Sequence, residues 1–361
     1  DPSDWDRFYR HVSGWQYRVW MFGEEGALGQ QMRLFLRGLP IDLGLGLLFG
    51  LAGFMVAGKK AIWVGIQAVS CMVYASSYQI HDIEPYYLSA TVALIIPTAA
   101  AWHYLSTLKP SWTWIPLISF VLPALSVQQH WERCDRSDRD FIEVYARSAL
   151  QSLPENSIVL TRQWDIFLSP CLYLQEVEGL RPDVVVLGKE LLRRSWYLEQ
   201  KVTRYPILGG ENSPEYKALH EKLLEFESGN PSPEGIQQAY EAWIGGVIQA
   251  NYKTKPVMLG PELVAEEMSR RVDVPKPPGS LLVPHAFFFM VRADSSYIPL
   301  SISEAEPFEF PEARDNTFAK SLLGLRKNLI SNRVGYEDFY KFPEKGDAWQ
   351  SLNEKYQNME D

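Results

Sequence analysis

Apolar positions are concentrated between residues 39 and 128, and polar positions dominate on either side. Four stretches in that region, 39–58, 61–80, 86–107 and 112–128, are almost free of charge. Each is close to the ~20 residues that a helix needs to cross the hydrocarbon of a bilayer. A soluble bundle would keep a polar stripe along each helix, and these runs leave almost none. The pattern therefore predicts four transmembrane helices. In the first, "LPIDLGLGLLFGLAGFMVAG", Gly46 and Gly50 lie four apart, a spacing at which a neighbouring backbone can come close. Pro97, Pro116 and Pro123 fall in the third and fourth runs, where neighbouring groups can satisfy the freed carbonyls. Trp102, Trp112, Trp114 and Trp131 sit near the predicted ends, as an interfacial aromatic belt would place them.

Just upstream, residues 28–39 put Leu28, Met32, Phe35 and Leu39 on one helical face and Arg33 and Arg37 elsewhere. That fits a helix lying in the headgroup plane and, equally, a soluble amphipathic helix. Beyond His130 the pattern changes to short apolar runs alternating with amphipathic ones. "SIVLT" (157–161) and "DVVVLG" (183–188) read as strands, followed by helices over "FLSPCLYLQEVEG" and "KELLRRSWYLEQKV". Two more helices are expected over 214–228 and 233–252, "KPVMLG" and "HAFFFMVRA" are further strand candidates, and the chain from Pro311 reads as helical. Alternating strands and helices predict a small, mainly parallel sheet. The expected fold is thus a membrane α-helical bundle of four spans followed by an α/β extramembrane domain. Residues 1–37 form an extramembrane or interfacial segment, 38–128 the spans, and 129–361 the soluble domain.

Charge changes the picture only at the edges. A formal net charge of −9 argues against nucleic acid as a partner. The linkers at Lys59–Lys60 and Lys109–Pro110 are short, so parity gathers residues 1–37, the 81–85 loop and everything after His130 on one side. Arg7, Arg10, Arg18, Arg33, Arg37, Arg133, Arg136 and Arg139 all lie on that side, and the positive-inside rule taken alone makes it cytoplasmic. Of the three cysteines, Cys71 reads as a small core residue, while Cys134 and Cys171 could pair in an extracytoplasmic setting. The opening "DPSDWDRFYRHVSGWQYRVWMF" has neither an initiator Met nor a signal core, and reads as part of a longer polypeptide.

Three places carry candidate chemistry. In "SSYQIHDIEPYYLSA" (76–90), His81, Asp82 and Glu84 sit among Tyr78, Tyr86 and Tyr87. Carboxylates beside tyrosines bind sugar hydroxyls or act as bases, and they equally cap the next helix in a solvated turn. In "RHVSGWQYRVW" (10–20), Arg10, His11 and Arg18 could hold a phosphate while Trp15 or Tyr17 stacks on a sugar; an interfacial aromatic-basic segment has the same composition. "TRQWD" (161–165) ends a strand, where open α/β sheets bind ligands, so Asp165 is a candidate, with helix capping as its alternative. "GKELL" at 188 lacks the glycine framework of a phosphate loop, and Asp42 and His103 fall at interface depth. No zinc spacing, Ser-His-Asp order or nucleotide fingerprint is present in the sequence, so neither a metal nor a cofactor is expected.

Taken together, "FYRHVSGWQYRVWMF", "YQIHDIEPYYLSA" and "LPENSIVLTRQWD…YLQEVEGLRPDVVVL…LLRRSWY" resemble, in that order, a family of polytopic membrane proteins. The family includes the transmembrane O-mannosyltransferase that acts on plexin-type IPT domains, and its members look like C-type glycosyltransferases. The resemblance runs along the whole chain but matches only the carboxy-terminal half of the family's length. It implies a polyprenyl-phosphate-linked sugar, mannose, as donor, a protein or glycan hydroxyl as acceptor, and membrane lipid as the surroundings. It also implies a soluble domain on the extracytoplasmic face of a membrane, here the bacterial inner membrane, against the arginine count. The family's acidic base lies in a loop outside these residues, so no catalytic residue carries over. Positions matching family motifs are His11, Gln16, Tyr17 and Arg18, then Asp82 and Glu84, with donor or acceptor binding as the implied role. The competing expectation is a non-enzymatic membrane protein whose outer domain binds a glycan or protein.

Overall fold

The computed structural model describes residues 4–15, 21, 26–78, 80, 83–108, 111, 118–135, 140–228, 233–269, 276–305 and 317–358. The chain divides into two compact units, Asp1–Arg136 and Ser137–Asp361.

In the first unit α1 (Trp5–Val12) pairs Asp6 with Arg10 across one turn at 2.9 Å. Helix α2 (Ala27–Leu43) buries Leu39 and keeps Arg33 and Arg37 exposed, the amphipathic split that its spacing predicts. Glycines bracket α3 (Leu45–Ala57): Gly44 has φ 50° and Gly58 φ 52°, conformations that a Cβ would strain. A 3-10 turn over Gly58–Ala61 leads into α4 (Ile62–Ser76). A second such turn, Glu84–Tyr87, opens α5 (Leu88–Ile95); α6 (Thr98–Leu108) starts after Pro97, and α7 (Ile118–Cys134) follows.

Among the described residues two runs are long and apolar enough to cross a membrane, Leu45–Ser76 and Glu84–Leu108. This corrects the expectation of four spans. The Lys59–Lys60 linker is itself helical, so residues 45–76 form one run where two were expected. The expected fourth span begins in residues 112–117, outside the described set, and its helix runs on into Gln128, Gln129 and Glu132. Apolar side chains along the two runs point outward, with Met55 80% and Trp63 78% exposed, an arrangement that suits lipid and not water.

The close helix approach also falls elsewhere than expected. Nothing lies within 4 Å of a Cβ built on Gly46, whereas one on Gly50 would come 2.2 Å from the Leu94 carbonyl oxygen and one on Gly53 1.9 Å from that of Pro97. The contact centres on the bend that Pro97 makes between α5 and α6, and Gly50 and Gly53 are the residues facing it. Phe49 stacks on Trp102 beside it at 4.3 Å.

In the second unit α8 (Phe141–Gln151) leads to β1 (Ile158–Thr161), then α9 (Ser169–Glu176), β2 (Val185–Gly188) and α10 (Ser195–Arg204). Helices α11 (Pro214–Glu227) and α12 (Pro233–Asn251) precede β3 (Val257–Leu259) and α13 (Pro261–Met268). The hairpin β4 (Leu281–His285) and β5 (Phe288–Arg292) is followed by α14 (Ile302–Ala305), α15 (Thr317–Phe339) and α16 (Pro343–Asn358). The strand order is β2-β1-β3-β5-β4. β1 pairs in parallel with β2 and β3, while β5 pairs antiparallel with both β3 and β4. The sheet is therefore mixed, which corrects the expectation of a mainly parallel one. "HAFFFMVRA" straddles a tight hairpin at Ala286 (φ 48°), and that reversal makes the second half of the sheet antiparallel.

Both faces of the sheet are covered. Val159, Val186, Met258 and Met290 face one core with α8, α9, α15 and α16. Ile158, Leu160, Val185, Leu187, Val257 and Leu259 face the other, with α10 to α13. Burial on two sides explains why these strands read as continuous apolar runs. Arg326 and Arg333 brace the hairpin from α15. Arg326 donates to the Ala286 and Ala305 carbonyls, each at 2.7 Å, and Arg333 to those of Pro284 (2.9 Å) and Ile298 (2.8 Å) and to Glu337 Oε1 (2.8 Å). Cys171 is a free thiol buried in the α9 core of the second unit, and Cys134 is exposed at the end of α7 in the first.

Candidate functional site

The loop between the two apolar runs is organised by tyrosines. Tyr78 bridges to Met21 in antiparallel fashion, which lays the segment after the amino-terminal cluster beside the start of this loop. Tyr78 and Tyr74 share a hydroxyl contact of 3.0 Å, Tyr87 Oη and Ser76 Oγ one of 2.8 Å, and Tyr87 stacks flat on Phe35 of α2 at 4.1 Å. Ile83 and Ala75 complete this small core. Glu84 stands exposed at the head of the 3-10 turn, and His11 is exposed near the end of α1 beside Arg10, whose guanidinium lies over Trp15 at 5.2 Å. Gln16, Tyr17, Arg18, His81 and Asp82 lie outside the described residues. Among the described residues, Met21 meets Tyr78 at this bridge, apolar packing lies beneath the loop, and Glu84 is exposed.

The second place is the carboxyl edge of the parallel strands. β2 and β3 flank β1 on opposite sides: the connection from β1 runs one way to β2 and the next crosses back over β1 to β3, the kind of switch point at whose strand ends open α/β sheets bind ligands. The ladder continues past the strands: the Lys189 amide donates to the Thr161 carbonyl and the Gly260 amide to that of Leu160, both at 2.8 Å. Residues 161–163, 189–190 and 260–262 consequently lie side by side. Glu262 accepts from Thr161 Oγ1 (2.9 Å), the Arg162 amide (2.7 Å) and Gln163 Nε2 (2.6 Å). Its carboxylate folds back over Gly260, where a Cβ would come 2.2 Å from Oε1. Arg162 pairs with Glu266 and reaches Glu190 at 3.3 Å. Arg193 lies 3.7 Å from Glu190, donates to Gln237 Oε1 at 2.7 Å and covers the Tyr240 ring at 4.4 Å. Tyr240 in turn donates to the Lys189 carbonyl at 2.6 Å.

Lys189 is 7% exposed. Burial pulls its ammonium below the usual lysine range, opposed by Glu266 and then Glu190. Lys201 on α10 is also buried, lies 5.3 and 5.5 Å from the Tyr197 and Tyr205 rings, and is pushed down to about 8 by desolvation. Asp165, the residue expected at this edge, is exposed within the π-helical turn Trp164–Leu168 and neither caps a helix nor joins the charged cluster. The cluster rests instead on residues that sequence reasoning passed over. Lys189 belongs to the set-aside "GKELL", and Glu262 and Glu266 lie some hundred positions beyond Thr161. The available signal was "LGPELVAEE", a strand end running straight into a helix with acids in its first turns. Among the described residues no group of three His, Cys, Asp or Glu side chains could hold a metal ion.

The family profile TMEM260-associated domain 2 matches residues 142–206, which run from α8 through β1, α9 and β2 to the end of α10. The chain is 33% identical over 93 residues to protein O-mannosyl-transferase TMEM260 of Mus musculus, covering 26% of this chain and 13% of that protein. It is 23% identical over 159 residues to protein O-mannosyl-transferase tmem260 of Dictyostelium discoideum, covering 44% of this chain and 17% of that protein. The matched stretches thus span well under a quarter of either relative. No solved structure matches. The chain therefore resembles the TMEM260 protein O-mannosyl-transferases over part of its length, and its residues 142–206 match the profile of a TMEM260-associated domain.

Proposed function

We propose that this chain is the carboxy-terminal part of a membrane glycosyltransferase that moves a sugar, mannose, from a polyprenyl-phosphate carrier to a hydroxyl of a protein or glycan. The observation that carries this reading is the 33% identity over 93 residues with a protein O-mannosyl-transferase. Two apolar runs of spanning length support a membrane setting. In this reading the soluble domain faces the extracytoplasmic side of a bacterial inner membrane.

The acceptor oxygen forms a bond to the anomeric carbon as the bond to the carrier phosphate breaks, and positive charge gathers on the sugar ring. A guanidinium suits the departing phosphate because its fork matches two oxygens at once. Arg18, with His11, Gln16 and Tyr17, takes that part, while Asp82 and Glu84 hold sugar or acceptor hydroxyls. The catalytic base is assigned to none of these residues, and no metal or cofactor is invoked.

The test uses the full-length protein in membranes with radiolabelled polyprenyl-phosphate mannose. Asp82→Asn and Arg18→Gln should each lower transfer about tenfold or more, the loss of a charge-assisted contact, with insertion unchanged. Undiminished transfer by both variants removes these residues from the site. No transfer by the unaltered protein overturns the activity and leaves a non-enzymatic binding protein.

A further inference from the structure

Helix α2 has two faces with different surroundings. On one, Phe35 stacks on Tyr87, Met32 Sδ accepts from Ser76 Oγ at 3.9 Å and Leu39 is buried. On the other, Gln30, Arg33, Leu34 and Arg37 recur at steps of three and four, so they form a single stripe along the helix. Together with Gly26 that stripe lines a cavity of about 440 Å³.

The electrostatics of this cavity are one-sided. No acidic residue is among its described lining residues, and the first turn of α2 holds none. Arg33 donates Nε to the Gly29 carbonyl at 3.0 Å, which fixes the guanidinium and leaves its Nη groups unengaged by any described residue. Arg37 makes no hydrogen bond or ion pair with any described residue. At the amino end Gly26 sits in a left-handed turn (φ 89°) and no Gly26 side chain caps the first-turn amides, so the positive end of the helix dipole adds to the two cations. A set that offers mainly donors calls for an anion rich in acceptors. Each guanidinium fork takes two oxygens, and a phosphate brings four on one centre where a carboxylate brings two. The volume, inside the range of about 300–1,000 Å³ typical of small-molecule pockets, also holds the group esterified to that phosphate. Leu34 lies between the two arginines on the stripe, an apolar contact for the carbon atoms of that group.

We propose that this stripe of α2 is a binding site for a phosphate ester at the membrane surface, with Arg33 and Arg37 on the phosphate oxygens and Leu34 on the carbon group attached to them. A phospholipid headgroup and a lipid-linked sugar phosphate share that chemistry. The site rests on the membrane setting of the first unit. It is separate from Arg18 and the other residues given roles in sugar transfer, and it stands whether or not that transfer is the protein's activity.

The experiment is native mass spectrometry of the full chain released from a neutral detergent and titrated with phosphatidylglycerol, polyprenyl-phosphate mannose and inorganic phosphate. Dioleoylglycerol, which lacks the phosphate, is the control. The expected result is retention of a phosphate-bearing lipid, about tenfold weaker in R33Q and in R37Q, with dioleoylglycerol not retained. Both side chains are exposed, so neither substitution disturbs the core. The lipid held more tightly names the source of the phosphate. Loss of polyprenyl-phosphate mannose in R18Q but not in R33Q or R37Q assigns that ligand to the transfer site, and phosphatidylglycerol then decides. Inorganic phosphate held as tightly as either lipid overturns the ester and leaves a free-anion site. Equal retention of both lipids by the variants and the unaltered protein, or retention of dioleoylglycerol at the same level, overturns the site and leaves Arg33 and Arg37 to water or to Glu24 and Glu25.

Discussion

The two units solve opposite problems with the same residue types. In residues 1–136 many leucines and valines, with Trp63, point outward, and most buried positions along the apolar runs are small, Gly50, Gly53, Ala68, Ala90 and Ala93 among them, with Tyr87 and Trp102 the large exceptions. In residues 137–361 the large apolar side chains are inside, sandwiching the sheet, and the surface is charged. Where the surroundings are lipid, burying a large side chain gains little over leaving it exposed, and close backbone packing decides which helices meet. Where the surroundings are water, each fully buried aliphatic side chain contributes about 2 kcal/mol. One chain therefore needs two rules for predicting what a substitution does.

The sharpest break in that comparison is expected inside the second unit. Arg333→Met leaves the Glu337 carboxylate buried without its guanidinium, and should lower stability by about 3–5 kcal/mol, read by denaturant titration. Next comes a matched pair of truncations. Leu150→Ala, at a position fully buried in the α8 core, should cost about 2–5 kcal/mol, whereas Leu48→Ala, 63% exposed on α3, should cost under about 0.5 kcal/mol in a bilayer. Equal losses for the two would mean that α3 faces protein or water. A smaller effect separates the glycines: Gly53→Val should destabilise the helix pair by about 2 kcal/mol through its clash with Pro97, while Gly46→Ala, with open space around it, should be neutral or slightly stabilising.

The smallest effect is a pH slope. Burial, and then the Arg333 charge, lower the proton affinity of His285, with Glu304 opposing, and its Nδ1 has no partner. The folded state therefore holds the neutral ring, while the unfolded chain takes up a proton near its ordinary value of about 6.5. Stability should fall as pH drops below that value and level off below the folded pKa, with a slope of at most about 1.4 kcal/mol per pH unit. His285→Phe should flatten the slope between pH 7.5 and 5.5 (measured as the shift of the thermal midpoint). An unchanged slope would place the responsible proton elsewhere.

What could be read beforehand follows from the same physics. β1, β2 and β3 were legible because strands buried on both faces leave unbroken apolar runs. β4 was not: Pro284 breaks the pattern, and it is tolerated because β4 is the sheet's edge. The mixed direction of the sheet hangs on one residue, Ala286, in a left-handed conformation that its identity does not advertise. The apolar runs were visible, but their number as spans was not, since the Lys59–Lys60 linker looks like a loop and is helical. The strand-edge position of Asp165 was readable, whereas the cluster beside it was not. Arg162 and Glu266 become neighbours only through the pairing of β1 with β3, and local spacing cannot report long-range pairing.

The arginine braces on α15 carry a consequence for biosynthesis. Every hydrogen bond that Arg326 and Arg333 make to residues 284, 286, 298 and 305 joins earlier-made backbone to a helix translated later. While the nascent chain is still short of that helix, those carbonyls must be solvated or held by other hands. The antiparallel edge of the sheet is thus set late, and a ribosome stalled before residue 326 should display a hairpin that proteases still cut.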